Sequence, residues 1–161
     1  MTTGSAPVPT RAPTPEQWLA AHPAAAPAER AAVQLLAAME RRALGEVEST
    51  LAPGFTMVFP GPAEYHDLAA MVRGASGRYQ RIAKLIEAVE SFPAGGPASS
   101  SETSGARQVV YVRGTLYGVN IHGVEFAGVR YIDRFELAAG RFSRQDVWND
   151  LAESGVLKRT A

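Results

Sequence analysis

Between Arg107 and Asp150 the sequence spells three consecutive strands, and this stretch limits the possible fold more than any other. Val109-Val110-Tyr111-Val112 opens the first strand, which runs to about Val119, and Asn120-Ile121-His122-Gly123 breaks it. Glu125 to Leu137 makes the second, Ala138-Ala139-Gly140 turns, and Arg141 to Asn149 makes the third. β-Branched and aromatic residues fill the runs, and Gly and Asn fill the breaks. Side chains alternate along a strand, so Val129, Tyr131, Asp133, Phe135 and Leu137 share one face. Phe126, Gly128, Arg130, Ile132, Arg134 and Glu136 share the other. The first face is apolar apart from one acid, and a buried acid must be paired, neutral or functional. A turn at Ala139-Gly140 sets Asp133 roughly opposite Asp146, whereas a slip of one residue sets it opposite Gln145.

Helical signals come earlier. Met1 to Pro13, rich in Pro, Thr and Ala, reads as a disordered tail. Thr14-Pro15-Glu16-Gln17 has the form of a helix start, with Thr14 as cap, Pro15 at the first helical position and Gln17 closing a capping box. This short helix and its linker, residues 14–26, hold Trp18 and Leu19, with Trp18 read as an anchor on the domain. Pro27 to Ala43 is a longer helix with Ala32, Leu35, Leu36 and Met39 at helical spacing. Phe55 to Phe59 is a strand ended by Pro60-Gly61-Pro62. Asp67 opens a third helix, with Leu68, Met71, Val72 and Ala75 as its stripe and an end near Arg78. Tyr79 to Phe92 supports two readings. As a helix it lines up Ile82, Leu85, Ile86 and Val89, which its periodicity favours; as a strand it puts Ile82, Ile86 and Phe92 on one face. Pro93 to Ala106 reads as a flexible loop, and residues 154–161 as a C-terminal tail. Helices first and a meander last suggest an α+β domain with helices on one face of a curved sheet, spanning residues 27–153.

The 161 residues suffice for one domain with a real core. Lys plus Arg and Asp plus Glu number 16 each, so no basic surplus points to nucleic acid or an acidic membrane surface. There is no cysteine, which removes disulfides, thiolate catalysis and Cys-ligated metals. No apolar run approaches the roughly 18–20 residues of a membrane span. With no secretory signal visible, a soluble cytoplasmic protein is expected.

Several segments together resemble the SnoaL-like branch of the nuclear transport factor 2-like superfamily, which includes ketosteroid isomerase, limonene epoxide hydrolase and scytalone dehydratase. They are the N-terminal helix pair, Leu51-Ala52-Pro53-Gly54-Phe55, the Asp67 helix ending in Arg78-Tyr79, Gly128 to Phe135, Gly140-Arg141-Phe142, and Asp146 to Asp150. The resemblance covers about residues 28–153. It implies a cone: a strongly curved, mostly antiparallel sheet around an apolar pocket, with the N-terminal helices packed over its concave face. It also implies a strand at Tyr79 to Phe92, and that reading is adopted. It implies a homodimer through the open sheet face, which here carries Phe126, Arg130, Ile132 and Arg134. Finally, it implies cofactor-free acid–base chemistry on a small hydrophobic, oxygenated ring compound, as in an isomerase, cyclase or hydratase. The ketosteroid isomerase base, an Asp before Pro, is matched here by Phe59 before Pro60. The Arg-x-Asp of limonene epoxide hydrolase is matched by Tyr131-x-Asp133. The last-strand Asp of the polyketide cyclases falls at Asp146 or Asp150.

The catalytic candidates are therefore Asp133, Asp146 and His66. Asp133 is a pocket acid or base, or else half of a structural pair with an arginine such as Arg113. Asp146 acts with it or is simply solvated. His66 stands at the expected mouth of the cone, or is a plain loop side chain. Tyr65, Tyr111, Tyr117, Tyr131, Trp148 and Phe59 are the candidates for lining the pocket and binding substrate. No metal-ligand spacing, phosphate loop or nucleophile elbow is present, so neither metal nor cofactor is expected. The competing function is a non-catalytic module of the same fold that binds a small molecule or dimerises.

Overall fold

The structure is a computed structural model and describes residues 11–94 and 107–157. Most of the proposed N-terminal tail, most of the 93–106 loop and the end of the C-terminal tail lie outside these residues. The elements run α1 (Pro15–Ala21), α2 (Pro27–Arg41), two single 3-10 turns, β1 (Leu51–Phe59), β2 (Ala63–Tyr65), α3 (Leu68–Ser76), β3 (Tyr79–Pro93), β4 (Arg107–Asn120), β5 (Glu125–Ala138) and β6 (Arg141–Asn149). The six strands form one open sheet in the order β2-β1-β6-β5-β4-β3. Every pairing is antiparallel except that of β1 with β6. This is the expected α+β cone with a mostly antiparallel sheet.

Local chemistry sets the helix ends. The Thr14 hydroxyl accepts from the Gln17 N–H and the Gln17 side chain accepts from the Thr14 N–H, a complete capping box. The Asp67 carboxylate accepts from the Ala70 N–H at 2.7 Å and starts α3. Arg42, at φ 59°, ends α2 in the left-handed region. Trp18, Val33, Leu35 and Leu36 bury themselves against Phe55, Val110, Val112, Phe135 and Phe142 of the sheet.

Tyr79 to Phe92 is a strand, against its helical periodicity. Its long pairing with β4 supplies the ladder that overrides the local pattern. Two irregularities bend the sheet. β3 carries a bulge between Ile86 and Ala88, and there the Ile86 N–H donates to the carbonyl of Pro13 at 2.8 Å. β5 has an extra residue near Gly128, whose φ is +75°. Strict alternation placed Phe126 on the outer face with Arg130. The bulge reverses the phase, and Phe126 instead packs on the core beside Tyr79, ring centroids 6.0 Å apart.

Gly114 is required for a different reason. A Cβ there would lie 1.9 Å from the Leu85 carbonyl oxygen. That oxygen accepts the Tyr131 hydroxyl at 3.1 Å, so Tyr131 on β5 reaches across its direct partner Gly114 to β3.

Candidate functional site

The inner face of the sheet, α2 and α3 enclose a cavity of about 600 Å³. Its greasy wall includes Leu36 and Met39 of α2, Met71 and Val72 of α3, Ile82 of β3 and Val147 of β6. The polar side chains that line it include Glu40, Lys84, Tyr131 and Gln145, together with arginines such as Arg78 and Arg81.

Asp133 is fully buried on the inner face of β5. Its partner is Lys84, which reaches inward from β3, two strands away across β4. The Lys84 ammonium also lies 4.5 Å from the centre of the Tyr131 ring, a cation–π contact. Asp133 itself sits behind Lys84, off the cavity wall. Burial pushes the Asp133 carboxyl up from the usual carboxylate range, and the Lys84 charge and hydrogen bond pull it back only in part. Burial likewise raises the Tyr131 phenol, with the Asp133 charge adding to it.

Glu40 ends the apolar stripe of α2, and its Oε2 accepts from the Lys84 backbone N–H at 3.3 Å. Burial raises its pKa from the ordinary 4.5 to about 7, against the lowering effect of that hydrogen bond. A carboxyl on the wall of an apolar cavity, half ionised near neutrality, sits where Brønsted behaviour makes a general base most effective. Gln145, on β6, borders the same space but is fully buried, with its amide sealed from the cavity.

Register decides the fate of the other acids. Asp133 faces Val147 and Arg134 faces Asp146, so neither register considered from sequence is the one adopted. Asp146 alternates out of the cavity and bonds Arg144 at 2.8 Å, with Arg134 at 3.6 Å. Asp150 pairs with Arg130. His66 is exposed, 3.2 Å from Glu64 and 3.4 Å from the Thr56 hydroxyl, and does not line the cavity. Arg113, considered as the partner of Asp133, instead holds Glu87 on the outer face at 3.0 Å.

Of the proposed binding residues, Phe59, Tyr65 and Tyr131 line the cavity, with Phe59 and Tyr65 packed edge to face at 5.7 Å. Tyr111 packs on Phe92 on the outer face, Tyr117 lies under Arg81, and Trp148 is 53% exposed. None of these three reaches the cavity.

Sequence reasoning passed over Glu40 and Lys84 and gave Gln145 no role. Each carried a signal. Once Tyr79 to Phe92 is a strand, Lys84 falls between Ile82 and Ile86 on the inward face. Glu40 follows Leu36 by one helical turn. Gln145 alternates with Val147.

Comparison with solved structures places the chain in the nuclear transport factor 2-like fold. Its cone matches an NTF2-like protein of unknown function from Burkholderia pseudomallei with TM-score 0.64 and 16% identity, covering 84% of this chain and 99% of that one. It matches a putative SnoaL-like polyketide cyclase from Jannaschia with TM-score 0.60 and 18% identity, covering 84% and 94%. An epoxide hydrolase of M. tuberculosis, described as LEH-like, matches with TM-score 0.56 and 16% identity, covering 81% and 89%. No protein-family model and no curated protein sequence matches the chain. Among the described residues no group of His, Asp and Glu could hold a metal, and no helix is long and apolar enough to cross a membrane.

Proposed function

We propose that the cavity binds a small hydrophobic, oxygenated ring compound and isomerises, cyclises or hydrates it by general acid–base chemistry without a cofactor. The observation that carries this reading is the Glu40 carboxyl on the cavity wall, accepting from the Lys84 backbone N–H and pushed by burial up to about 7. Glu40 removes a proton from the substrate or from water. Lys84 stabilises negative charge that develops on a substrate oxygen, and Asp133 holds it in place from behind. Asp133 is thus a positioning residue. The cyclase and hydrolase among the similar structures are consistent with a cone that hosts such chemistry, at the level of fold alone.

The test is a thermal-shift screen of steroid, terpenoid and polyketide-like compounds, followed by turnover assays on the hits. Glu40→Gln should keep ligand binding and lose turnover by about 10²–10⁴-fold. Turnover that survives Glu40→Gln unchanged refutes the assignment. A second reading is a non-catalytic binding module. It is favoured by the engagement of Asp133 and the Tyr131 hydroxyl in internal bonds, and it predicts hits with no turnover in any variant.

The outer face supports a second copy of the chain as partner. Ile132 and Trp148 are direct cross-strand neighbours and both are about half exposed, with Tyr111 and Phe92 exposed on strands further along. A soluble cytoplasmic homodimer is the assembly this reading implies.

A further inference from the structure

Most inward polar groups on the cavity wall are already engaged. Lys84 is held by Asp133, the Tyr131 hydroxyl donates to Leu85, and Glu40 accepts from the Lys84 backbone. The Gln145 amide is sealed beneath the wall. Arg42, Arg78, Gln80, Arg81 and Glu153 also line the cavity, but they are exposed, so water satisfies them with or without a ligand. The hydroxyls of Tyr65 and Tyr79 can turn to donate or to accept, so they select little between ligand groups.

Asn149 differs from all of these. It lines the cavity from the end of β6, half-buried, directly opposite Tyr131 on the inner face. Its Oδ1 accepts from the Leu151 N–H at 3.2 Å. That bond closes a local turn and settles which end of the amide is which. The acceptor is spent, and the Nδ2 is what remains to be satisfied. The Nδ2 has no hydrogen-bond partner among the described residues, and it is not sealed as the Gln145 amide is. It offers a donor fixed in direction, which a carbonyl oxygen satisfies and an ammonium does not. The Lys84 ammonium lies 4.5 Å from the centre of the Tyr131 ring, so the ring is neighboured from β3 and from β6 by groups that donate and cannot accept.

Resting on the reading of this cavity as a ligand site, we propose that Asn149 is its specificity residue. Its Nδ2 donates to an acceptor-only oxygen of the ligand, a ring ketone or ester carbonyl, beside the Tyr131 ring. Val147 and Leu151, which line the cavity on either side of Asn149 along the chain, meet the apolar body of the ligand. A ligand that lacks the oxygen leaves the Nδ2 facing hydrocarbon, and a site built to hydrogen-bond one group rejects the analogue without it. Glu40, on the α2 wall, is left to act elsewhere on the ligand.

Calorimetric titration of the full chain with three probes tests this: 2-tetralone, 2-tetralol and tetralin. The first offers an acceptor alone, the second an acceptor and a donor, and the third neither. Asn149→Asp keeps an oxygen for the Leu151 N–H and replaces the free donor with an acceptor. It should weaken 2-tetralone by roughly ten-fold or more, the worth of one buried hydrogen bond. It should weaken 2-tetralol less, because that hydroxyl can turn and donate to the new carboxylate. Asn149→Ala, which loses turn and donor together, should weaken 2-tetralone similarly and keep the affinity for tetralin. If Asn149 served only the turn, Asn149→Asp would bind all three probes as the wild type does, and that result overturns the proposal. So does an equal loss of all three probes in Asn149→Ala, or no binding of any probe to the wild type. Glu40→Gln should bind 2-tetralone as the wild type does. Loss of turnover in that variant therefore reports on the acid–base reading and not on Asn149.

Discussion

Glu40 and Lys84 on the cavity wall, and Asp133 behind it, are each expected to respond differently to substitution. Asp133 and Lys84 form a pair in which one partner has no contact with solvent. Removing one member strands the other, so Asp133→Ala should cost about 3–5 kcal/mol in denaturant unfolding. The double variant Lys84→Met/Asp133→Leu should recover most of that loss, because the desolvation cost vanishes with the charges. A double variant no more stable than Asp133→Ala would show that the pair contributes more than charge balance. Glu40 makes a prediction of opposite character. Its carboxyl titrates at about 7 in the folded chain and near 4.5 when unfolded. Between those values the folded state keeps a proton that the unfolded state has lost, so stability falls as pH rises through this window. Glu40→Gln should flatten that part of the melting-temperature profile. Any turnover should rise with pH and level off above about 7, since the base acts only when ionised.

At the level of elements, the sheet depends on irregularities as much as on its strands. Gly114→Ala should destabilise near the upper end of the roughly 1–3 kcal/mol typical of overpacking, because its Cβ would meet main chain on β3 rather than a flexible side chain. Near-UV circular dichroism should register the displaced Tyr131. Much of this layer was legible in the sequence. The three late strands, both helix caps and the breaks at Pro60-Gly61-Pro62 and Ala138-Ala139-Gly140 follow from local chemistry. The segment from Tyr79 was not legible from its own periodicity, since alternation and helical stripes share Ile82 and Ile86, and only pairing with β4 decides between them. The reversed side of Phe126 was hidden because one extra residue on β5 inverts the alternation. The site suffered most from this kind of blindness. Asp133 was evident as an acid on a greasy face, yet its partner comes from a strand 49 residues away. No local pattern links the two. Asp146 looked equivalent to Asp133 until register put it on the far side of the sheet.

For the molecule as a whole, the outer sheet surface is the open question of assembly. Trp148→Glu, at a position 53% exposed and opposite Ile132, should leave the folded monomer intact. In sedimentation velocity it should shift a dimeric wild type to monomer. A wild type that sediments as a monomer at micromolar concentration would remove the proposed partner. The cone also depends on chain outside its own elements. Among the described residues β3 lies at the border of the sheet, and at its bulge the Ile86 amide is occupied by Pro13. That single bond makes the approach to the first helix a clasp on the sheet's free margin. Expression variants trimmed to begin at Thr14 would leave that amide bare, and a bulky fusion partner set directly before Thr14 would compete for the same place. Shortening or tagging the chain at this end is therefore a choice about β-edge adhesion between molecules, and not merely about convenience in purification.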